Sequence, residues 1–387
     1  MRFVDRVEFI MKNNGEPSPV WLEKFLSIAS RAYGWCVRLR TAAYDQGMIK
    51  AKRLPCVVIS IGNVTMGGSG KTPLTIYIAK KLCHLGYRVA VVSRGYGGKA
   101  EKSGAIVSDG SQIFVSADVS GDEPYMMAQQ LASTPIIVGA DRYRSGKIAV
   151  RSFNPDVILL DDGFQHRRLA RDLDLVLLDA SKPGGNGYLF PRGVLREPLQ
   201  SLRRGHAVIL TRTQLDCENS NTCLGSLLDP IPVFKSRHQP NIVKMIPAGN
   251  ISEVYPGSET LAQDLDVLKG KRVLAFSGIA ANEIFFETLR DAGCRLVDGM
   301  PYRDHHRYRR SDIRRIRRTA DDQQVDIIVT TEKDYYRLPE ATDWGRTLTV
   351  VGVEIKFQNK DFDDFLAGKV AFHQEKKRKM RTSLNGS

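Results

Sequence analysis

Short apolar runs recur along the chain, each followed by a glycine-rich or polar stretch and then by helical spacing. CVVISI (Cys56 to Ile61) precedes a glycine-rich turn and a helical pattern over 74–85, and YRVAVVS (Tyr87 to Ser93) precedes the loop RGYGGK. Further runs stand at Ile136 to Val138, Val157 to Leu160, Leu173 to Leu178 and Ala207 to Leu210. Strands alternating with helices in this way predict a parallel α/β sheet, and the pattern fades near residue 212. Residues 213–270 carry fewer regular signals, and Pro230, Pro232, Pro240, Pro247 and Pro256 mark turns and edge strands of a linker. A second α/β pattern begins with VLAFSGI (Val273 to Ile279), continues with a helix over Glu283 to Ala292, and reaches DIIVTTEK (Asp326 to Lys333). The expected class is therefore α/β: a P-loop NTPase-type parallel-sheet domain over 51–212, a linker with small strands over 213–270, and a second, smaller α/β domain over 271–372.

The two ends read differently. Residues 19–39 place Trp21, Phe25, Ile28, Ala32, Cys36 and Leu39 at helical spacing, with Ser18 and Pro19 as cap and first turn and with Trp21, Tyr33 and Trp35 as candidate interfacial anchors. Glu23, Lys24, Arg31 and Arg38 interrupt the segment, which excludes a transmembrane span and a secretory signal. Two readings stay open for the 1–50 region: a helix packed by its apolar face, or monotopic membrane attachment. The tail 373–387, with KKRKMRTSLNGS from Lys376, is basic, then polar, and is expected to be disordered.

Composition narrows the class. The 387 residues are 42% hydrophobic and 26% charged, ordinary for a globular protein. Six scattered cysteines (36, 56, 83, 217, 223, 294) show neither disulfide nor zinc-ligand spacing. A formal charge of +14 favours an anionic partner, such as a phosphorylated substrate or an acidic membrane surface. No nucleic-acid partner is expected, because no interleaved aromatic signature or zinc finger accompanies the charge.

The candidate chemistry begins at Thr65, Met66, Gly67, Gly68, Ser69, Gly70, Lys71 and Thr72, TMGGSGKT, set between a strand and a helix. Glycines there let backbone N–H groups cradle phosphates, Lys71 reaches the β/γ-phosphates, and the Thr72 hydroxyl takes Mg²⁺. Thr65 stands where the strict pattern has glycine. In VILLDDGFQHRR an apolar run delivers Asp161 and Asp162 to a strand's carboxyl end, where carboxylates hold Mg²⁺ directly or through water. Together these motifs predict binding of ATP with Mg²⁺.

The stretches IGNVTMGGSGKTP, VVSRGYGGK, GDEPYMMA, DDGFQHRRLARDLDLVLLDA, GNGYLFPRGVLREPL, FSGIAANEIFF, DHHRY and VTTEKDYYRL, in this order, resemble the tetraacyldisaccharide 4′-kinases of lipid A biosynthesis. The resemblance implies transfer of the ATP γ-phosphoryl to the 4′-hydroxyl of a tetraacyldisaccharide 1-phosphate, giving lipid IVA, at the cytoplasmic face of an inner membrane rich in anionic lipids. It implies Asp122 as the catalytic carboxylate with His305 as its partner, Glu197 as a further metal carboxylate, and Arg142, Gln165, His166 and Arg196 as phosphate or substrate contacts. The chain departs from the family at Ala280, Ala281 and Asn282, where a Gly-Asn-Pro turn is common. A basic run from Arg307 to Arg318 suits either a solvated helix face or anionic lipid. The rival from another class is a switch or metallochaperone-type ATPase, which needs no sugar-lipid site.

Overall fold

The apolar runs become strands because their side chains are buried on both faces, and that burial is complete where the sequence is most continuously hydrophobic. In the computed structural model, β1 (Val57–Asn63), β2 (Val89–Ser93), β5 (Val157–Asp161) and β7 (Ala207–Thr211) are buried at every position. The structure describes residues 7, 10, 11, 19–213, 227–249, 264–339 and 342–385; Ser18, Cys217, Cys223 and Pro256 lie outside them. With β3 (Ala105–Ser108), β4 (Ile136–Val138) and β6 (Leu173–Asp179), the first half forms a sheet in the order β7-β6-β1-β5-β2-β4-β3. All its pairings are parallel except β3 with β4. Helices α1 (Val20–Asp45), α2 (Lys71–His84), α3 (Asp122–Gln130) and α4 (Arg142–Phe153) belong to this half.

The linker supplies one long strand, β8 (Val233–Ile246), which joins the halves into a single 12-stranded sheet. It pairs parallel with β7 from Val233 to Lys235, and antiparallel with β12 (Thr347–Phe357) from Ser236 to Ile246. Beyond Lys235 its other edge carries no partner strand among the described residues, so Pro240, which has no N–H, sits opposite Val353 without costing a ladder bond. The second half follows the order β10-β9-β11-β12, built from β9 (Arg272–Ser277), β10 (Arg295–Pro301) and β11 (Ile327–Thr331). Helix α5 (Asn282–Asp291), the basic helix α6 (Arg310–Asp322) and the short α7 (Glu332–Tyr335) complete it. The α/β class expected from the sequence is thus the class observed.

One expectation fails. Of the tail read as disordered, residues 373–385 are the end of a 25-residue helix, α8 (Asp361–Asn385). It crosses back to the first half, where Phe362, Leu366 and Val370 enter the core that also holds Val57, Ile59 and Leu74. Asp363 accepts from Tyr77 at 2.7 Å, and Lys377 pairs with Asp172 at 2.7 Å. Composition misled because the helix is anchored by three apolar side chains and two charge contacts at its start and middle, not by overall hydrophobicity.

Candidate active site

At the carboxyl end of β1, Asn63 organises the glycine-rich turn. Its Nδ2 donates to Ser69 Oγ at 2.8 Å, and its Oδ1 accepts from Lys71 Nζ at 3.4 Å. Thr65 and Met66 are tied to the loop before Glu197, Thr65 by a bridge to Leu195 and Met66 by its N–H to the Val194 carbonyl. Gly67 and Gly68 have open space where a side chain would stand, as a phosphate cradle needs. Gly70 caps α2 in the left-handed region, φ 86°, and a Cβ there would run into His238 Nε2. Thr72 is buried at the start of α2.

Lys71 also stands 3.7 Å from Asp162, whose carboxylate Arg196 grips at 2.9 and 3.0 Å. Burial raises the Asp162 pKa, but Lys71 and then Arg196 outweigh it and hold the group below the usual carboxylate range. Asp161 differs: burial, then the neighbouring Glu123 and Asp162, push it up to about 7. Its hydrogen-bond donors are the Thr75 and Ser93 hydroxyls, at 3.3 and 3.2 Å. Its direct donors are hydroxyls alone, with Lys71 and Arg142 acting on it through space, so Thr72, Asp161 and Asp162 supply an all-oxygen donor set of the kind Mg²⁺ takes.

Glu197 is paired with Arg204 at 2.6 Å, and among the described residues no three His, Cys, Asp or Glu side chains come together, either around it or around Asp161 and Asp162. It lines a small pocket under α1 with Tyr33, Arg40, Gln165 and Arg196. Gln165 Nε2 donates to the Asn63 carbonyl at 2.8 Å, which ties this pocket to the phosphate loop. His166 is kept neutral by burial and then by Arg142, which lower its pKa to about 4. Arg142 is buried; burial takes its pKa down to about 10 against the pull of Asp161 and Asp162, and its Nη1 donates to the Gly139 carbonyl at 3.0 Å.

The second cluster bridges the halves. Asp122, at the first turn of α3, meets His305 across 183 residues of sequence, with Nδ1 3.1 Å from Oδ2. His305 takes a positive φ of 58° and its N–H is held by the Gly278 carbonyl at 3.1 Å. Tyr96 packs edge-on against its ring at 5.8 Å. Arg337 Nε donates to Asp122 Oδ2 at 2.6 Å. Burial raises the Asp122 pKa, yet the His305 hydrogen bond and then the Arg337 charge hold it below the usual carboxylate range. Next to it Glu123 pairs with Lys333 and also feels Lys71 and His305. The base candidate and the phosphate loop therefore share one electrostatic site at the carboxyl end of the sheet.

Sequence reasoning missed Asn63, Glu123, Lys333 and Arg337. Each lies inside a motif that was singled out, but none has a spacing signal of its own.

A phosphate cradle, a lysine, an acidic pair and a separate carboxylate at the seam of the two halves define a P-loop phosphotransferase. The tetraacyldisaccharide-1-P 4′-kinase family model matches residues 22–371, and the chain belongs to that family. A tetraacyldisaccharide 4′-kinase from Desulfatibacillum aliphaticivorans is 38% identical over 94% of this chain and 97% of its own. One from Syntrophus aciditrophicus is 44% identical over 87% and 90%. The crystal structure of LpxK from Aquifex aeolicus in complex with ATP superposes with a TM-score of 0.70 at 31% identity, covering 90% of this chain and 99% of that one.

Proposed function

We propose that this protein transfers the γ-phosphoryl group of ATP to the 4′-hydroxyl of a tetraacyldisaccharide 1-phosphate, with Asp122 as general base and His305 as its partner. The observation that carries the assignment of the base is the placement of Asp122 between the phosphate-loop half and the His305 half. Lys71 and the Gly67–Gly70 backbone bind the triphosphate, while Thr72, Asp161 and Asp162 would hold Mg²⁺, which neutralises phosphate charge when bound. Asp122, kept ionised, accepts the hydroxyl proton as the new O–P bond forms and the bond to ADP breaks. Arg142, as buried as Thr72, offsets the charge of the acidic pair and is kept as a phosphate contact. Gln165, His166 and Arg196 brace the loop between the nucleotide and the pocket under α1.

The substrate's lipid chains call for a membrane surface. On α1 the buried face is Leu22, Leu26, Ser30 and Gly34, and the stripe of Trp21, Phe25, Ile28, Ala32, Cys36 and Leu39 points to solvent. Among the described residues no helix is long and apolar enough to cross a membrane. Exposed Arg310, Arg314, Arg315 and Arg318 on α6 add an anion-seeking surface. These features support peripheral attachment, which we place at the cytoplasmic face of the inner membrane, where ATP is available. The test is transfer of labelled γ-phosphate to the disaccharide in detergent micelles. Wild type should transfer, and Asp122→Asn should lose roughly 10²–10⁴-fold in kcat with ATP affinity retained. ATP hydrolysis indifferent to the lipid would sink the assignment.

A further inference from the structure

We propose that Arg337 is the positioning residue of the Asp122–His305 pair: anchored in the second half of the sheet, it clamps the Asp122 carboxylate and competes with it for His305 Nδ1. The proposal rests on Asp122 being the base. The Arg337 side chain is only 3% exposed, and it makes four contacts. Nε donates to Asp122 Oδ2 at 2.6 Å, Nη1 donates to the Gly278 carbonyl at 3.0 Å and to Asp334 Oδ1 at 3.2 Å, and Nη2 lies 3.1 Å from His305 Nδ1. Asp334 is itself fixed by the Thr331 hydroxyl at 2.6 Å, the Gly278 N–H at 3.0 Å and the Tyr308 hydroxyl at 3.1 Å. The guanidinium is therefore immobilised by the second half of the sheet before it reaches Asp122, which belongs to the first.

Two consequences follow from donor and acceptor chemistry. Both contacts to Asp122, from Arg337 and from His305, fall on Oδ2, so Oδ1 carries neither and is the oxygen presented to a hydroxyl. Arginine only donates and an ionised carboxylate only accepts, so Nδ1, at 3.1 Å from each, satisfies one of them at a time. With Nδ1 accepting from Arg337, the imidazole proton stands on Nε2, the nitrogen nearer Asp304 at 3.9 Å. With Nδ1 protonated, it donates to Asp122, and Arg337 must yield. The other charges around the base are Glu123 with Lys333, Asp118 with Arg307 at 3.4 Å, Asp304, and Lys71 beyond Glu123. Of these surrounding cations, Arg337 is the one hydrogen-bonded to the base, since Lys333 and Arg307 are each paired to other carboxylates.

The experiment is the pH profile of kcat/KM, from about pH 2.5 to about pH 8, for wild type, Arg337→Met, Arg337→Lys and Asp122→Asn in lipid-detergent micelles. In Arg337→Met the acidic limb should move up by about 1–3 pH units, because burial of Asp122 is no longer opposed by the guanidinium. Arg337→Lys should keep the limb within about half a unit and still lose about 10-fold or more in kcat, because an ammonium cannot make the four contacts of a planar fork. An unmoved limb in Arg337→Met, or full kcat in Arg337→Lys, overturns the proposal. Should Arg337→Met fail to fold by circular dichroism, the kcat of Arg337→Lys decides alone. Near-wild-type turnover of Asp122→Asn would instead remove the base assignment, independently of Arg337.

Discussion

Lys71 rests on two acceptors, Asn63 Oδ1 at 3.4 Å and Asp162 at 3.7 Å, both long enough to be exchanged for phosphate oxygens. Truncating it removes a donor aimed at developing phosphoryl charge, so Lys71→Ala should lower phosphate transfer by about 10²–10³-fold or more while the melting temperature stays close to wild type. Turnover within about tenfold of wild type would take Lys71 out of the mechanism. This residue was legible because GKT follows a strand and opens a helix, a local relation that one window of sequence contains. Asp122 and His305 lie 183 residues apart, and only the resemblance joined them. Arg337 was invisible for a further reason: its role depends on Asp334, Gly278 and Asp122 converging, and no sequence spacing encodes that convergence. Glu197 was read only through the resemblance, and no spacing announced its Arg204 partner.

Among the elements, α1 shows how spacing can find a helical stripe and leave open what it faces. Spacing found the apolar face of Trp21, Phe25 and Ile28, but the packed face is that of Leu22, Leu26, Ser30 and Gly34. Ser30 donates to the Leu189 carbonyl at 2.8 Å, Tyr33 to that of Arg196 at 2.9 Å, and Gly34 lets Leu189 approach. This packing leaves the hydrophobic stripe exposed to solvent, as the proposed membrane attachment requires. Replacing Trp21, Phe25 and Ile28 together by Glu should weaken flotation with anionic vesicles by about 10-fold or more, since each large side chain is worth roughly 1.5–3 kcal/mol when fully buried. Stability and kcat on micellar substrate should not change. Unchanged flotation would assign the stripe to another role. The strand β8 was legible only in part. Prolines marked it as turn and edge, and among the described residues it has no partner strand on one side beyond Lys235, yet it runs 14 residues because β12 supports the other side.

Across the whole molecule the halves meet along a polar seam, where Gln130 of α3 donates to Glu332 of α7 at 2.6 Å. Burial raises the Glu332 pKa to about 7 from an ordinary value of 4.5, so the native state holds a proton there that the unfolded chain releases. Its contribution is fully present below pH 4.5 and is lost as pH rises towards about 7. Glu332→Gln cannot ionise; its melting temperature should match wild type at low pH and exceed it by about 1–3 °C above pH 7. An equal offset at all pH values would show that the carboxyl does not titrate in this window. The helix α8 makes a stronger demand on the assembly, because it leaves the second half and fills the core of the first with Phe362, Leu366 and Val370. The phosphate-loop half is thus completed by residues far beyond the loop in sequence. Phe362 is stacked on Phe357 at 4.1 Å between ring centroids, and Phe362→Ala should cost about 3–5 kcal/mol in urea unfolding. Deleting 361–385 should also abolish nucleotide binding, although no residue of α8 contacts Lys71, Asp161 or Asp162 among the described hydrogen bonds and ion pairs. If the truncated protein still binds ATP with wild-type affinity, the first half folds on its own core and α8 is an accessory. If binding is lost while a Lys377→Ala variant, lacking only the Asp172 ion pair, keeps it, the apolar anchor of α8 is what the nucleotide site requires.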